Sequence, residues 1–199
     1  MKQIFIILLC ILPLVASAQE VKTTPHKKAK KHSLAKGYLS GNYLSQTYRG
    51  ATDLNTANGY SVGLGVKRNN SNDLEKIGFR LGIEYCMLSN TYNVRDYVTG
   101  GMQKETYKND YIKPGASLVM DRHIIRQLVF HADAGVNFWF SGNSNKISGS
   151  AVAGVGLGLK WCILRLGYDY GLGNIGDALL PVHANTLSIG LIIYPTGMN

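Results

Sequence analysis

Six ionisable residues recur at alternate positions among glycines and small side chains. Arg80 and Glu84 lie in IGFRLGIEYCML (77–88), Lys113 in DYIKPGASLVMD (110–121), Asp133 in QLVFHADAGVNFWF (127–140), and Arg165 and Asp169 in CILRLGYDYGL (162–172). Three cations and three carboxylates can neutralise one another as buried ion pairs, or some of them can serve acid–base chemistry. His131 stands two residues before Asp133, and Ser117 lies in the segment before them, so a Ser/His nucleophilic pair is one reading. Structural filling of an enclosed space is the other, and the one adopted, since these residues share a face with the charges. GLGNIG (171–176) matches G-x-G-x-x-G, but a dinucleotide site needs a following helix and an acid about 20 residues on. Pro181 interrupts any such helix and no acid follows Asp177, so no cofactor is expected. The histidines and acids show no metal-ligand spacing, and Cys86 and Cys162 match no zinc or redox motif.

The elements that must carry these residues are strands. In AVAGVGLGLKW (151–161), Ala153, Val155, Leu157, Leu159 and Trp161 alternate with Gly154, Gly156, Gly158 and Lys160. Side chains alternate between the two faces of a strand, so one face is apolar and the other nearly bare. The same alternation predicts strands at about 36–45, 59–67, 77–88, 110–121, 127–140, 162–172 and 184–194, making eight with the first quoted. In each clear case the second face mixes glycine, small polar residues and charges of both signs, with Lys67 and Asp121 among them. Cys86 and Cys162 fall on opposite faces, which argues against a disulfide.

A soluble sandwich or lipocalin-like binder places the apolar face inward, whereas a membrane barrel places it toward lipid and keeps a polar interior. Three features favour the barrel. Connections are long after the first, third and later odd strands and shorter after the even ones, as in barrels with long external loops. The strands approach the ~9–11 residues that a tilted membrane strand needs. Residues 1–18 read as a signal peptide: Lys2, the apolar run Ile4 to Val15, then Ala16-Ser17-Ala18, with cleavage expected before Gln19. Residues 19–35 form a basic, flexible segment in which Lys27, Lys28, Lys30 and Lys31 cluster, which reads either as a solvated spacer or as a grip for an acidic partner or surface. The domain expected at 36–199 is therefore an all-β, eight-stranded antiparallel up-and-down transmembrane β-barrel, with both termini periplasmic. An eight-stranded interior is filled by side chains, so Arg80, Glu84, Lys113, Asp133, Arg165 and Asp169 are expected to form a structural charge network in the lumen. Tyr43, Tyr60, Tyr85, Tyr168, Tyr170 and Trp161 are expected at the membrane interfaces.

LRLGYDYGLGNI (164–175) resembles the late-strand signature of the Bacteroidota outer-membrane β-barrel family that includes the PorT-like proteins. YIKPGASL (111–118) is similar to that family's Tyr-x-x-Pro strand, with Lys113 and Gly115 replacing apolar residues, and GYSVGLGVK and TLSIGLIIY are of its type. One departure is that Pro195 to Asn199 follow Tyr194, where membrane barrels usually end on an aromatic. The resemblance implies the outer membrane of a Gram-negative bacterium and an accessory role in protein secretion, and it carries over no catalytic residue. The expected partners are outer-membrane lipids and periplasmic or secretion-machinery proteins, with no nucleic acid and no small-molecule substrate. The expected function is a non-enzymatic interaction role in the cell envelope. Its rivals are a lipid-modifying barrel enzyme and a soluble lipocalin-like binder.

Overall fold

The computed structural model describes residues 35–50, 56–69, 75–95, 101–125, 127–142, 147–159, 161–174 and 182–196. The segments expected as signal peptide and basic tail, including Lys27, Lys28, Lys30 and Lys31, lie outside the described residues, as does Lys160. The chain forms eight strands: β1 (Ala35–Arg49), β2 (Ala57–Asn69), β3 (Glu75–Arg95), β4 (Met102–His123), β5 (Leu128–Ser141), β6 (Ile147–Leu159), β7 (Cys162–Gly171) and β8 (His183–Ile193). Each pairs antiparallel with its sequence neighbour, and β8 returns to β1, so the sheet is a closed up-and-down barrel. Closure leaves no open sheet edge around the wall.

The register is staggered. A path along paired residues runs from Lys36 through Lys67, Arg80, Ser117, Gly135, Val152, Asp169 and Thr186, and rejoins β1 at Gln46. Such an offset tilts the strands against the barrel axis. Every residue on this path belongs to the interior face.

Five of the strands, β1 to β4 and β6, are longer than the alternation predicts, chiefly in one hairpin. The stretch at 89–109, expected as a loop, is mostly strand: pairing of β3 with β4 continues up to Arg95 and Met102. Pairing of β2 with β3 stops at Asn58 and Ser89, and pairing of β4 with β5 stops at Tyr111 and Ser141. The tip of the β3–β4 hairpin therefore stands proud of the barrel as a two-stranded ribbon. The β1–β2, β3–β4, β5–β6 and β7–β8 connections share this rim. The other three connections and the described ends of the chain lie at the opposite rim.

Candidate functional site

Alternation sorts the side chains by face. Outward-facing Leu118 and Tyr60 are 63% and 62% exposed, whereas inward-facing His131 and Asp133 are 0% and 5% exposed. Leu39, Val62, Leu81, Val136, Val155, Leu164 and Ile189 continue the outward apolar belt around all sides of the barrel. Tyr43, Tyr60, Tyr85, Tyr168 and Tyr170 are exposed on this belt, toward the rim that carries the ribbon, and Trp161 is exposed at the other rim. The apolar faces point out, which overturns the lipocalin-like alternative. That reading needs them to line the interior.

The lumen is built in four storeys. At the rim with the chain ends, Tyr38, Val129, Ile163, Ile192 and Tyr194 form an apolar floor. Tyr194 follows β8 directly and is fully buried, its ring 6.0 Å from that of Tyr38. Its backbone N–H donates to the Trp161 carbonyl at 2.8 Å. Above the floor lies a cluster around Asp133. Arg165 donates through Nε to Asp133 Oδ2 (2.6 Å) and through Nη2 to Oδ1 (2.7 Å), and Arg80 Nη2 donates to Oδ1 (3.0 Å). His131 lies between two carboxylates, with Nε2 3.1 Å from Asp133 Oδ2 and Nδ1 2.7 Å from Asp121 Oδ1. Lys67 pairs with Asp121 in turn.

The third storey is centred on Lys113. Its Nζ lies 2.7 Å from Glu84 Oε2 and 3.4 Å from Asp169 Oδ2, and 4.9 Å from the centre of the Trp139 ring. Asn137 Nδ2 donates to Asp169 Oδ1 (2.9 Å), and Ser61 Oγ donates to Glu84 Oε2 (3.3 Å). Asn42 Nδ2 donates to Ser61 Oγ at 2.9 Å. At the ribbon rim, Leu44, Ala57, Cys86, Leu88 and Trp139 form an apolar ceiling, with Tyr48 and Tyr111 packed against it. A cavity of about 40 Å³ lies between the two ionic storeys.

The structure thus brings Arg80, Asp133 and Arg165 into one cluster and Glu84, Lys113 and Asp169 into another. Sequence reasoning left Lys67 and Asp121 outside the network, although it placed both on the right face. What joins them is His131, which links Asp121 to Asp133. Among these clusters four cations face four carboxylates. That balance is what buried charges require, because an unpaired ion in a low-dielectric interior costs several kcal/mol.

The bare inner face of β6 has a geometric cause. The Arg165 guanidinium lies across Gly154, and a Cβ at that position would collide with it. Likewise the Tyr38 hydroxyl rests on Gly82, where it fills the place of a Cβ. Glycine on one strand is the room taken by a long side chain from another.

Cys86 is buried in the ceiling, and Cys162 lies on β7 with no disulfide between them. Among the described residues, no group of histidine, cysteine and acids is arranged to hold a metal ion. Gly171 and Gly173 of GLGNIG stand at the end of β7, and residues 175–181 lie outside the described residues.

Oil-facing side chains around a closed wall, with paired ions inside, define a transmembrane β-barrel. Lipid supplies no hydrogen bonds, so only closed barrels and helices can span it. No protein-family model and no curated protein matches the chain. Among solved structures it is similar to Neisserial surface protein A, at 17% identity over 80% of this chain and 98% of that one, with a TM-score of 0.46. It is also similar to Ail, the attachment invasion locus protein of Yersinia pestis, at 11% identity over 80% of this chain and 96% of that one, TM-score 0.37. A de novo designed transmembrane β-barrel matches at 14% identity over 79% of this chain and 95% of that one, TM-score 0.36. At this level of similarity none of their properties transfers to this chain.

Proposed function

We propose that the protein is a non-enzymatic outer-membrane barrel that is exported by residues 1–18 and acts as an interaction module of the cell envelope. The observation that carries this reading is the lumen, filled by balanced ion pairs and closed by apolar layers at both ends, which suits an anchor better than a pore. The part offered to the outside is the β3–β4 ribbon, where Thr91, Lys104, Glu105, Thr106, Tyr107 and Lys108 are exposed. The basic segment with Lys27, Lys28, Lys30 and Lys31 serves an acidic partner in the periplasm. An accessory role in protein secretion is the specific form suggested by the PorT-like resemblance. The lipid-modifying alternative is disfavoured by His131, whose two ring nitrogens both face carboxylates, leaving neither for a serine hydroxyl.

The test is cell fractionation with a carbonate wash, followed by electrophoresis of unboiled and boiled samples. Retention in the outer membrane and a heat-dependent shift are the expected results. Release into the soluble fraction overturns the reading. Replacing residues 92–105 by a short turn should preserve the shift and abolish crosslinking to external partners. A secretion assay in a deletion strain then decides the accessory role.

A further inference from the structure

His131 stands where a neutral imidazole cannot satisfy both of its neighbours. Its Nδ1 lies 2.7 Å from Asp121 Oδ1 and its Nε2 lies 3.1 Å from Asp133 Oδ2. Ionised carboxylates only accept hydrogen bonds, and a neutral imidazole carries one N–H. One of the two contacts would then set a lone pair against an oxygen. The other partners of these carboxylates, Lys67, Arg80 and Arg165, already donate, so none of them relieves the conflict. The geometry is satisfied when the Asp121–His131–Asp133 array holds one proton more than two carboxylates and a neutral ring do, whichever member carries it.

That proton upsets the charge balance of the lumen. Without it the four cations and four carboxylates of the two storeys cancel; with it one positive charge is in excess. The excess falls at the storey of Asp133, where a single carboxylate serves both Arg80 and Arg165. Arg80 is 8% exposed, and its Nη1 has no hydrogen-bond partner. Arg80 lines the lumen cavity beside Ser117, its directly opposite partner on β4, which is also buried. Opposite residues on one face of a sheet stand ~4.5–5.5 Å apart at Cβ, close enough to grip one ligand together. The cavity of about 40 Å³ has room for a water-sized ion and some water, at ~10–15 Å³ for each such particle.

We infer that this cavity is a halide site, in which one monovalent anion accepts from Arg80 Nη1 and the Ser117 hydroxyl and balances the proton shared around His131. A surplus of one charge calls for a monovalent ion, and sulfate or phosphate overshoots it. A spherical ion suits the donors, since a carboxylate brings a second oxygen where one guanidinium nitrogen is open. Glu84 and Asp169 also line the cavity, but both are held by Lys113. Proton and halide enter as a pair, because either alone leaves the buried interior charged. The charged groups packed around His131 are Lys67 on β2, Arg80 on β3, Asp121 on β4, Asp133 on its own strand and Arg165 on β7. Opposite it β6 has Gly156, and the floor adds the phenols of Tyr38 and Tyr194. Lys36 and His123 stand nearer the rim of the chain ends.

The test uses bromide, in crystals and in solution. Crystals of the folded barrel grown in sodium bromide should give an anomalous peak in the cavity, within hydrogen-bond distance of Arg80 Nη1 and Ser117 Oγ. Water alone at that place overturns the site. In phosphatidylcholine bilayers the urea midpoint of unfolding, followed as bromide replaces gluconate at constant ionic strength, gives the affinity without requiring an open path into the folded lumen. The Kd should rise about tenfold per pH unit above the titration of the array, one proton per halide. Ser117→Ala should keep the heat-dependent gel shift and weaken bromide about tenfold. His123→Gln should leave the pH dependence unchanged, which separates the two histidines. A midpoint indifferent to bromide reduces the peak to binding at crystal concentration only and overturns the site. An affinity that is flat with pH, or whose pH dependence vanishes in His123→Gln, overturns the pairing of halide with the His131 proton.

Discussion

The two ionic storeys of the lumen solve the same problem differently. Around Asp133 a carboxylate is the hub: two guanidiniums and an imidazole converge on it, and its side chain is 0% exposed. Around Lys113 an ammonium is the hub, shared by two carboxylates of which Glu84 keeps 23% exposure. A carboxylate can accept from several donors at once, and arginine's planar fork grips it through paired bonds. An ammonium is a compact point charge on a flexible stem. The first storey is thus fixed in geometry, while the second can shift between partners. It is the second that lies beside Pro114, where β4 has no N–H to give to β5.

Deleting the first hub does the most damage. Asp133→Ala leaves Arg80 and Arg165 buried without their carboxylate, and should lower stability by about 3–5 kcal/mol, read as the urea midpoint of unfolding from bilayers. Lys113→Met strands Glu84 and Asp169, but hydration of Glu84 offsets part of the loss. About 2 kcal/mol is expected in the same titration, and a loss as large as that of Asp133→Ala would erase the distinction between the storeys. Arg165→Lys keeps the charge and loses the paired bonds to Asp133, so a drop of about 1–2 kcal/mol tests whether geometry matters beyond charge. Ser61→Ala removes one donor to Glu84, and its effect should be the smallest, about 1 kcal/mol.

Much of this arrangement is legible in the chain, because lipid on one side and a narrow lumen on the other force alternation through the middle of the strands, between the floor and the ceiling. Arg80, Glu84, Lys113, Asp133, Arg165 and Asp169 stand out because each has a glycine two places away. Alternation fails where the constraint lapses. On β1, Tyr38 and Leu39 are adjacent, as are Tyr43 and Leu44, because the even-numbered members form floor and ceiling while the odd-numbered ones face lipid. The ribbon reads as a loop because it rises past the wall. There it meets water on both faces, so no apolar face is selected. Tyr194 reads as the aromatic end of a membrane strand, and it faces inward onto Tyr38, as alternation after outward Leu191 and Ile193 requires.

The position of Tyr194 also bears on the order of assembly. Its ring completes the floor, and the strand before it completes the wall by pairing with β1, joining residues as far apart as Gln46 and Thr186. Contacts that distant in sequence form slowly, since a long loop must close before they give any return. The Tyr38 ring, the Lys67 ammonium 5.3 Å from the Tyr194 ring, and the β1 edge therefore await the last strand. A nascent chain lacking it exposes an open sheet and an uncovered polar interior. Closure is then a single late, cooperative event, and a helper that shields the chain during export has to hold it until β8 arrives.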